Sequence, residues 1–169
     1  GLFKIAGIVG KSKAVGNEVL GYKVIGDDSD LEDLAKNYTY ALISVGQIYS
    51  PETRVNLFDL VMKSGFILPI VVSPRAYVSK HSTIGNGTIV MHDAVINVNV
   101  VIGDNCIINS KALIEHDSII NDHCHISTNA TINGNVIVEE GSFIGSCAVT
   151  THSVTIKKNS FIKAGVIIK

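Results

Sequence analysis

The sequence is poor in several residue types, and each shortage narrows what the protein can be. It contains no tryptophan, three prolines and three cysteines. So few cysteines do not build a disulfide framework, which favours reduced thiols and a cytoplasmic location. The 14 Lys and Arg residues nearly balance the 15 Asp and Glu residues without a basic block, so we expect neither nucleic acid nor an anionic membrane as a partner. No apolar run approaches a transmembrane span, and we recognise no signal-peptide pattern.

A six-residue rule is present instead, and it runs from Ala76 to Lys169. Every sixth residue from Val78 to Ile168 is Val or Ile in fifteen of sixteen cases, with Thr150 as the exception. Two positions before each of these stands a residue no larger than Val. Residues two apart point to the same face of a short strand, so each hexad presents one small and one branched side chain to an interior. This repeat predicts a hexapeptide β-solenoid.

The repeat also predicts the size of the solenoid and the nature of its corners. Three hexads make one triangular coil, so the stretch predicts about five coils stacked at roughly 4.8 Å. Cys106 and Cys124 occupy the small position one coil apart, where they should lie one above the other as packed thiols. Gly or Asn follows the aliphatic residue in many hexads, and we expect left-handed backbone there. These positions are Gly85, Asn97, Gly103, Asn109, Asn121, Asn133 and Gly145.

Residues 1–72 follow a different pattern and form the first of two predicted domains. Asp27 and Ser50 have the residue types of helix N-caps, and Gly65 is placed to end the second helix. Strands alternating with these helices indicate a small α/β module. The second domain is 73–169, which contains the hexads. The predicted strands of the first domain are 2–10, 38–45 and 66–72.

One stretch inside the repeats carries a specific motif. It is Ile114-Glu115-His116-Asp117, followed nine residues after its histidine by His125-Ile126-Ser127. With the coils around it, this stretch resembles the hexapeptide acyltransferases of the sugar O- and N-acetyltransferase group. That group includes sialic acid O-acetyltransferases and the UDP-4-amino-sugar N-acetyltransferases of bacterial glycan synthesis. The resemblance covers most of the chain, because these enzymes also carry a small Rossmann-like module before the β-helix.

The resemblance implies both a fold and an activity. It implies a mainly β fold in which a left-handed parallel β-helix follows the Rossmann-like module. It further implies a homotrimer with active sites between neighbouring subunits, acetyl-CoA as the acetyl donor, and an activated or sialic-acid-like sugar as the acceptor. The first strand and glycine-rich turn of the family's module are not recognisable in the sequence. We therefore expect the Rossmann-like module to be truncated.

The resemblance also assigns catalytic roles to individual residues. His116 would be the general base, Asp117 the carboxylate that orients it, and His125 a second histidine near the acetyl group. The backbone N–H of Gly134 would face the acetyl carbonyl. Acyl transfer from a thioester needs a proton acceptor and a donor for the developing negative charge, which an imidazole and a bare N–H can supply. Glu115 is the other carboxylate next to His116 in the sequence.

The 18-residue spacing supports this assignment independently. Gly134 should lie directly above His116 on one corner, where the missing side chain leaves room for a reacting acyl group. His152 should lie one coil further, roughly 10 Å from His116 and too far away to be its partner. A second column of small side chains suits the pantetheine arm of acetyl-CoA, which the resemblance assigns to its last two members; the column is Thr128, Ser146 and Ala164.

Three alternatives follow from the same residues. A structural or regulatory β-helix that has lost its sugar site would keep the hexads without transferring acetyl groups. A trimeric zinc carbonic anhydrase on the same coil needs two histidines five residues apart, a spacing that is absent here, so we expect no metal. The acceptor group stays open, because N-acetylation and O-acetylation use the same base and donor.

Overall fold

A computed structural model describes residues 3–169 and divides the chain into two compact units. One unit comprises the residues up to Ala41 together with Leu60–Ile67, and the other comprises Leu42–Asp59 together with Leu68–Lys169. Within the second unit, short parallel strands stack into a β-helix, which confirms the mainly β fold expected from the hexads. Its left-handed sense and the division into 1–72 and 73–169 stay predictions.

The β-helix is built from two-residue strands, each separated from the next by a four-residue corner. Its strands are β4 (Val71–Val72), β5 (Tyr77–Val78), β6 (Thr83–Ile84), β7 (Ile89–Val90), β8 (Val95–Ile96), β9 (Val101–Ile102), β10 (Ile107–Ile108), β11 (Leu113–Ile114), β12 (Ile119–Ile120), β13 (His125–Ile126), β14 (Thr131–Ile132), β15 (Ile137–Val138), β16 (Phe143–Ile144), β17 (Val149–Thr150), β18 (Thr155–Ile156), β19 (Phe161–Ile162) and β20 (Ile167–Ile168).

Every third strand joins the same parallel sheet, which gives the β-helix three faces. Face A contains the six strands from β4 to β19, face B the six from β5 to β20, and face C the five from β6 to β18. Paired residues are 18 apart, as in Ile107 opposite His125 and Ile108 opposite Ile126. The coils therefore have the length that the hexads predict. Strand β4, from the end of the predicted strand 66–72, pairs with β7 and extends the β-helix beyond the first recognisable hexad.

The interior of the β-helix is filled by the two residues that each hexad directs inward. The aliphatic residues from Ile96 to Ile144 and the small residues from Ala94 to Ala148 have little or no exposed surface. Cys106 and Cys124 are among them and carry free thiols, as predicted. Each coil buries its apolar atoms against the next, so the stack stabilises itself by the hydrophobic effect and by parallel backbone hydrogen bonds.

The corners differ from the sequence prediction in one respect. The left-handed residue is the third after the aliphatic one, as at Asp117 (φ 61°) and Asn135 (φ 56°), and the Gly or Asn directly after the aliphatic residue has ordinary backbone. Gly145 is needed there for a different reason: a Cβ atom would lie 2.5 Å from the backbone nitrogen of Ala164 in the next coil. Close approach of stacked corners, and not a positive φ, therefore explains this glycine.

The other unit contains a small mixed sheet and short helices. Strand β1 (Ile8–Val9) pairs in parallel with β3 (Tyr22–Gly26), and β2 (Glu18–Val19) pairs with β3 in antiparallel fashion. Asp27 begins a capping box with Asp30, as its residue type predicted. Strand 2–10 is reduced to β1 and strand 38–45 to an isolated bridge between Tyr40 and Ile67, while Leu2 lies outside the described residues. The helices found in residues 3–169 are two 3-10 turns (Ser12–Ala14 and Asp28–Asp30), α1 (Leu31–Ala35) and α2 (Glu52–Lys63).

Helix α2 begins where the sequence predicted, with the Ser50 hydroxyl accepting a hydrogen bond from the backbone nitrogen of Glu52. In the described chain, 3–169, no helix is both long and apolar enough to cross a membrane.

Arg54 of α2 anchors the segment Leu42–Asp59 to face A. Its side chain is only 1% exposed and donates hydrogen bonds to the backbone carbonyls of Ile43, Val45 and Asn105, at 2.7, 2.9 and 3.3 Å. Burial lowers the pKa of Arg54 to about 10, so the guanidinium stays charged at neutral pH and is satisfied by backbone dipoles. This contact places the loop around Gln47 over strand β13.

Candidate active site

The sequence motif forms the corner between faces B and C, directly after strand β11. The left-handed conformation of Asp117 turns its carboxylate back toward the preceding residue, where Oδ2 lies 2.7 Å from Nδ1 of His116. Glu115 points elsewhere and accepts a hydrogen bond from Asn97 at 2.8 Å. The carboxylate beside His116 is therefore that of Asp117. Both of these side chains are half exposed, so the pair is open to a ligand.

The hydrogen bonds of Asp117 determine which nitrogen of His116 is free. The pKa of Asp117 is lowered by its hydrogen bond with His116 and by a second one from the side-chain amide of Asn99, 3.1 Å away. An ionised carboxylate can only accept, so Nδ1 of His116 carries a proton and Nε2 of the neutral ring has a lone pair. Sequence spacing could have identified Asn99, because it lies 18 residues before Asp117.

Gly134 lies on the same corner one coil above His116, as predicted. A Cβ atom at Gly134 would lie 2.7 Å from both Nε2 and Cε1 of His116, so the ring fills the space that a side chain would take. Within the described residues, the backbone N–H of Gly134 has no hydrogen-bond acceptor. The free imidazole nitrogen therefore lies close to the backbone of Gly134, and the ring occupies the space that the sequence had suggested for an acyl group.

His152 differs from its sequence prediction. Its ring centroid lies 5.9 Å from that of His116, although the two residues are two coils apart and were expected to be roughly 10 Å from one another. Both rings lean over Gly134, where an added Cβ would be 3.0 Å from Cε1 of His152. The spacing predicted the correct corner. It overestimated the distance between the rings, because both rings lean into the place where Gly134 has no side chain.

His125 lies on face A and is buried beneath the Gln47 loop. Its Nδ1 donates to the backbone carbonyl of Gln47 at 2.7 Å, and its Nε2 accepts from the amide of Asn109 at 3.1 Å. The ring also packs edge-on against Phe143, with centroids 5.1 Å apart. Burial lowers the pKa of His125, which keeps the ring neutral, while the Gln47 carbonyl partly opposes this shift. Gln47 could not be predicted as a partner, because it precedes the repeats and has no periodic relation to them.

The predicted column of small side chains forms on the corner between faces A and B. The residue after each member bonds to the member in the coil below, with Cys147 N–H donating to the carbonyl of Thr128 and Gly165 N–H to that of Ser146, at 3.0 and 2.9 Å. The hydroxyl of Ser146 also lies 3.0 Å from that of Ser127. Ala164 is exposed and Ser146 is partly exposed, so a track of small side chains follows this edge of the β-helix.

The six residues singled out from the sequence thus form two groups within one chain. His116, Asp117 and Gly134 meet at the corner between faces B and C. His125 lies on face A, and Ser146 and Ala164 follow face A at the corner leading to face B. Among the described residues no group of three or more His, Cys, Asp or Glu side chains is arranged to hold a metal ion.

Comparison with known proteins identifies the family. The repeats match the family described as bacterial transferase hexapeptide (six repeats) at residues 76–116 and 99–134. The acetyltransferase domain of PglB from Neisseria gonorrhoeae is 30% identical in sequence, with a TM-score of 0.88 over 95% of this chain and 77% of that one. This chain belongs to the hexapeptide-repeat sugar acetyltransferases. It is therefore an acyltransferase by family.

Two further structures resemble this sugar acetyltransferase. A histidine-to-asparagine variant of perosamine N-acetyltransferase from Caulobacter crescentus, in complex with CoA and GDP-perosamine, is 30% identical, with a TM-score of 0.88 over 94% of this chain and 74% of that one. WeeI from Acinetobacter baumannii is 20% identical, with a TM-score of 0.67 over 93% and 79% of the two chains, and shows the fold alone. No curated protein matches the acetyltransferase sequence.

Proposed function

We propose that the chain transfers the acetyl group of acetyl-CoA to the amino group of a nucleotide-linked sugar, with His116 as the general base. The observation that carries this proposal is the contact between Nδ1 of His116 and the Asp117 carboxylate, which leaves Nε2 free beside Gly134. The carboxylate fixes the tautomer and stabilises the imidazolium that forms when the ring takes up a proton. The other residues of the corner then define where the reacting carbonyl lies.

The chemistry at this corner follows from its polar groups. The acceptor nitrogen attacks the thioester carbonyl carbon, the C–N bond forms, and negative charge develops on the carbonyl oxygen. The N–H of Gly134, which has no acceptor among residues 3–169, is available to that oxygen, and Nε2 of His116 accepts the proton that the nitrogen loses. The C–S bond then breaks, and the thiolate of CoA leaves with a proton.

Acetyl-CoA is the proposed donor because relatives bind it. The PglB acetyltransferase domain has been solved with acetyl coenzyme A, and perosamine N-acetyltransferase with CoA. In this chain the track along Ser146 and Ala164 would hold the pantetheine arm. Its side chains are small, and its outer side is open. The chemistry of thioester transfer needs no metal.

The acceptor is proposed to be an amino sugar carried by a nucleotide. Perosamine N-acetyltransferase was solved with GDP-perosamine, whose amino group is the kind of nucleophile this corner suits. Residues 1–72 would form the acceptor side as a Rossmann-like module, and the product would serve bacterial surface glycan synthesis in the cytoplasm. A hydroxyl acceptor on a sialic-acid-like sugar is the competing outcome of the acceptor test.

A homotrimer with active sites between subunits is part of this proposal. One group of site residues lies at the corner between faces B and C and the other on face A and the corner that follows it, so a second copy would bring them together. The outward aliphatic side chains of face C support such packing, because Val101, Ile119 and Ile137 are 45%, 37% and 36% exposed in the single chain.

Two measurements test the proposed function. Calorimetric titration with acetyl-CoA should show saturable binding near one per subunit. Release of CoA should then be followed with GDP-perosamine, UDP-4-amino sugars and sialic acid as acceptors. His116→Ala should reduce transfer by about 10²- to 10⁴-fold without loss of the folded assembly. His81→Ala is the matched control, because His81 is exposed and lies two coils below His116, far from Gly134.

Full activity in the His116→Ala variant would contradict the assignment of the base. Binding of acetyl-CoA without transfer to any acceptor would favour the alternative of a β-helix that has lost its sugar site.

A further inference from the structure

The contacts of His152 give no structural reason for the position of its ring. Its side chain is exposed, and within residues 3–169 its ring takes part in no hydrogen bond. Even so, the ring leans over Gly134 to within 5.9 Å of the His116 centroid, at an interplanar angle of 52°. A solvated surface histidine need not adopt that position. The place of the missing Gly134 side chain, which we call the gap, thus lies between two imidazoles, 2.7 Å from His116 below and 3.0 Å from His152 above.

The two rings have different relations to that gap. Nε2 of His116 faces it, because Nδ1 is engaged with Asp117. Among the described residues no hydrogen bond restrains His152, so either of its nitrogens can turn toward a ligand in the gap. Solvent also reaches His152, so a proton taken up there can leave to water. His116 is therefore a proton acceptor with a fixed orientation, and His152 is a proton acceptor whose ring can rotate.

Amine acceptors require two deprotonations for each acetyl transfer. A primary amine is largely an ammonium ion at neutral pH and must lose one proton before its lone pair can attack. The nitrogen loses a second proton after the C–N bond has formed and as the C–S bond breaks. One of the two protons leaves with the CoA thiolate as a thiol, and the other is released to solvent. A hydroxyl acceptor has only one proton to lose.

We propose that His152 is a second catalytic base of this site, which removes the first proton from an ammonium acceptor before His116 removes the second. The inference rests on the proposed function and deepens it, because two bases at one gap suit an amino sugar and exceed what a hydroxyl acceptor needs. His152 passes its proton to water, and His116 passes its own to the departing thiolate. Atoms and charge then balance as ammonium plus thioester giving amide, thiol and one proton.

The charged groups around the gap are few, which makes its pH dependence interpretable. Asp117 contacts His116, and Glu115 is held on the other side by Asn97. The coil of Gly134 contributes Asn133 and Asn135, which are neutral, and the coil of His152 contributes Thr151 and Ser153. In the following coil, Lys169 occupies the position above Thr151.

The test is the pH dependence of transfer in His152→Asn. The kcat/KM for the amino acceptor, GDP-perosamine or the UDP-4-amino sugar selected by the acceptor panel, is measured from pH 6.5 to 9 by CoA release. We expect a loss of about tenfold at pH 6.5, where the acceptor is an ammonium ion, that shrinks to less than about twofold at pH 9, where it is a free amine. The KM for acetyl-CoA should not change.

Controls separate this role from a structural one. His81→Asn, at an exposed site away from the gap, should follow the wild-type profile at every pH. Thermal unfolding of His152→Asn should match the wild type, because the side chain is exposed.

An equal loss at all pH values would overturn the inference and leave His152 as a wall of the gap, and no loss would overturn it as well. If the wild type binds acetyl-CoA but transfers to no amine, the proposed function fails together with this inference. If the wild type acetylates the amine and His152→Asn has the wild-type profile, the inference alone fails.

Discussion

At the scale of single residues, Gly134 is required for the space that it leaves and not for its backbone conformation. Its φ is not in the left-handed region, so its backbone conformation suits any residue. The side chain is excluded instead by the His116 ring, which occupies the place of a Cβ atom. A change at this position therefore acts on the base more than on the fold.

Gly134→Ala should inactivate the enzyme without unfolding it. The new methyl group would lie 2.7 Å from Nε2 and Cε1 of His116, and the half-exposed ring can move aside. A displacement of the base by about 1 Å can lower kcat by roughly 10²-fold, whereas the free energy of unfolding should change by no more than about 1 kcal/mol. CoA release and urea unfolding measure the two effects.

The control for this substitution is Gly46→Ala, because a Cβ at Gly46 would meet open space and its φ is ordinary. Retained activity in Gly134→Ala would show that catalysis does not require the observed position of the His116 ring.

At the scale of elements, the segment Leu42–Asp59 closes over face A by polar contacts. Arg54 binds backbone carbonyls of its own segment and of Asn105, and the Gln47 side chain donates to the carbonyl of His123 at 2.7 Å. The Gln47 carbonyl in turn accepts from His125. The ring of His125 is neutral in this arrangement, because Nε2 accepts from Asn109 and cannot do so when protonated.

This arrangement predicts a stability that depends on pH. The pKa of His125 is lowered in the folded chain by burial, while the unfolded chain has the ordinary value near 6.5. Below that value the unfolded state binds more protons than the folded state, so the free energy of unfolding falls as the pH falls from 6.5 toward the folded pKa. The urea midpoint should accordingly decrease between pH 7 and pH 5.

His125→Gln tests the source of this dependence, because an amide can donate and accept but does not titrate. Its urea midpoint should vary less over the same range, whereas His81→Gln should behave as the wild type does. An unchanged slope in His125→Gln would assign the effect to other groups. Asp117 and Glu139 do not account for this dependence, because hydrogen bonds lower the pKa of both, so the stability that they contribute is lost only below the ordinary carboxyl pKa, at about pH 4.

At the scale of the whole molecule, the sequence predicts the β-helix well, because the repeat directly specifies which side chains pack in its interior. Each hexad supplies one small and one branched inward residue, so register, coil length and interior follow from spacing alone. Spacing does not reveal contacts between a repeat and a non-repeating segment, which is why Gln47 and Arg54 were not recognised as partners of face A. The sequence prediction also placed the left-handed backbone two residues too early. Gly and Asn occur at both corner positions for different reasons: Gly145 permits close approach of the next coil, whereas Asn135 has a positive φ.

A mixing experiment tests whether two subunits build each active site. His116→Ala removes the base, and Ser146→Tyr fills the track proposed for pantetheine, so each variant alone should be inactive. In trimers reassembled from equal amounts of both, about a quarter of the interfaces should combine an intact corner of one copy with an intact track of the other. CoA release should recover to that extent.

The matched control mixes His116→Ala with His116→Gln, in which every copy lacks His116 and no activity should return. If the two groups of residues acted within one chain, the first mixture would be as inactive as this control.

The reaction rates of the two buried thiols report how fast the central coils of the β-helix open. Cys106 and Cys124 have no exposed surface, and burial raises the pKa of both thiols, that of Cys124 to about 12. Alkylating reagents attack thiolates, so they should reach these two positions only after neighbouring coils have separated. Cys147 is exposed and should react at once. The lag between the first modified thiol and the next two would therefore time the opening of the central coils.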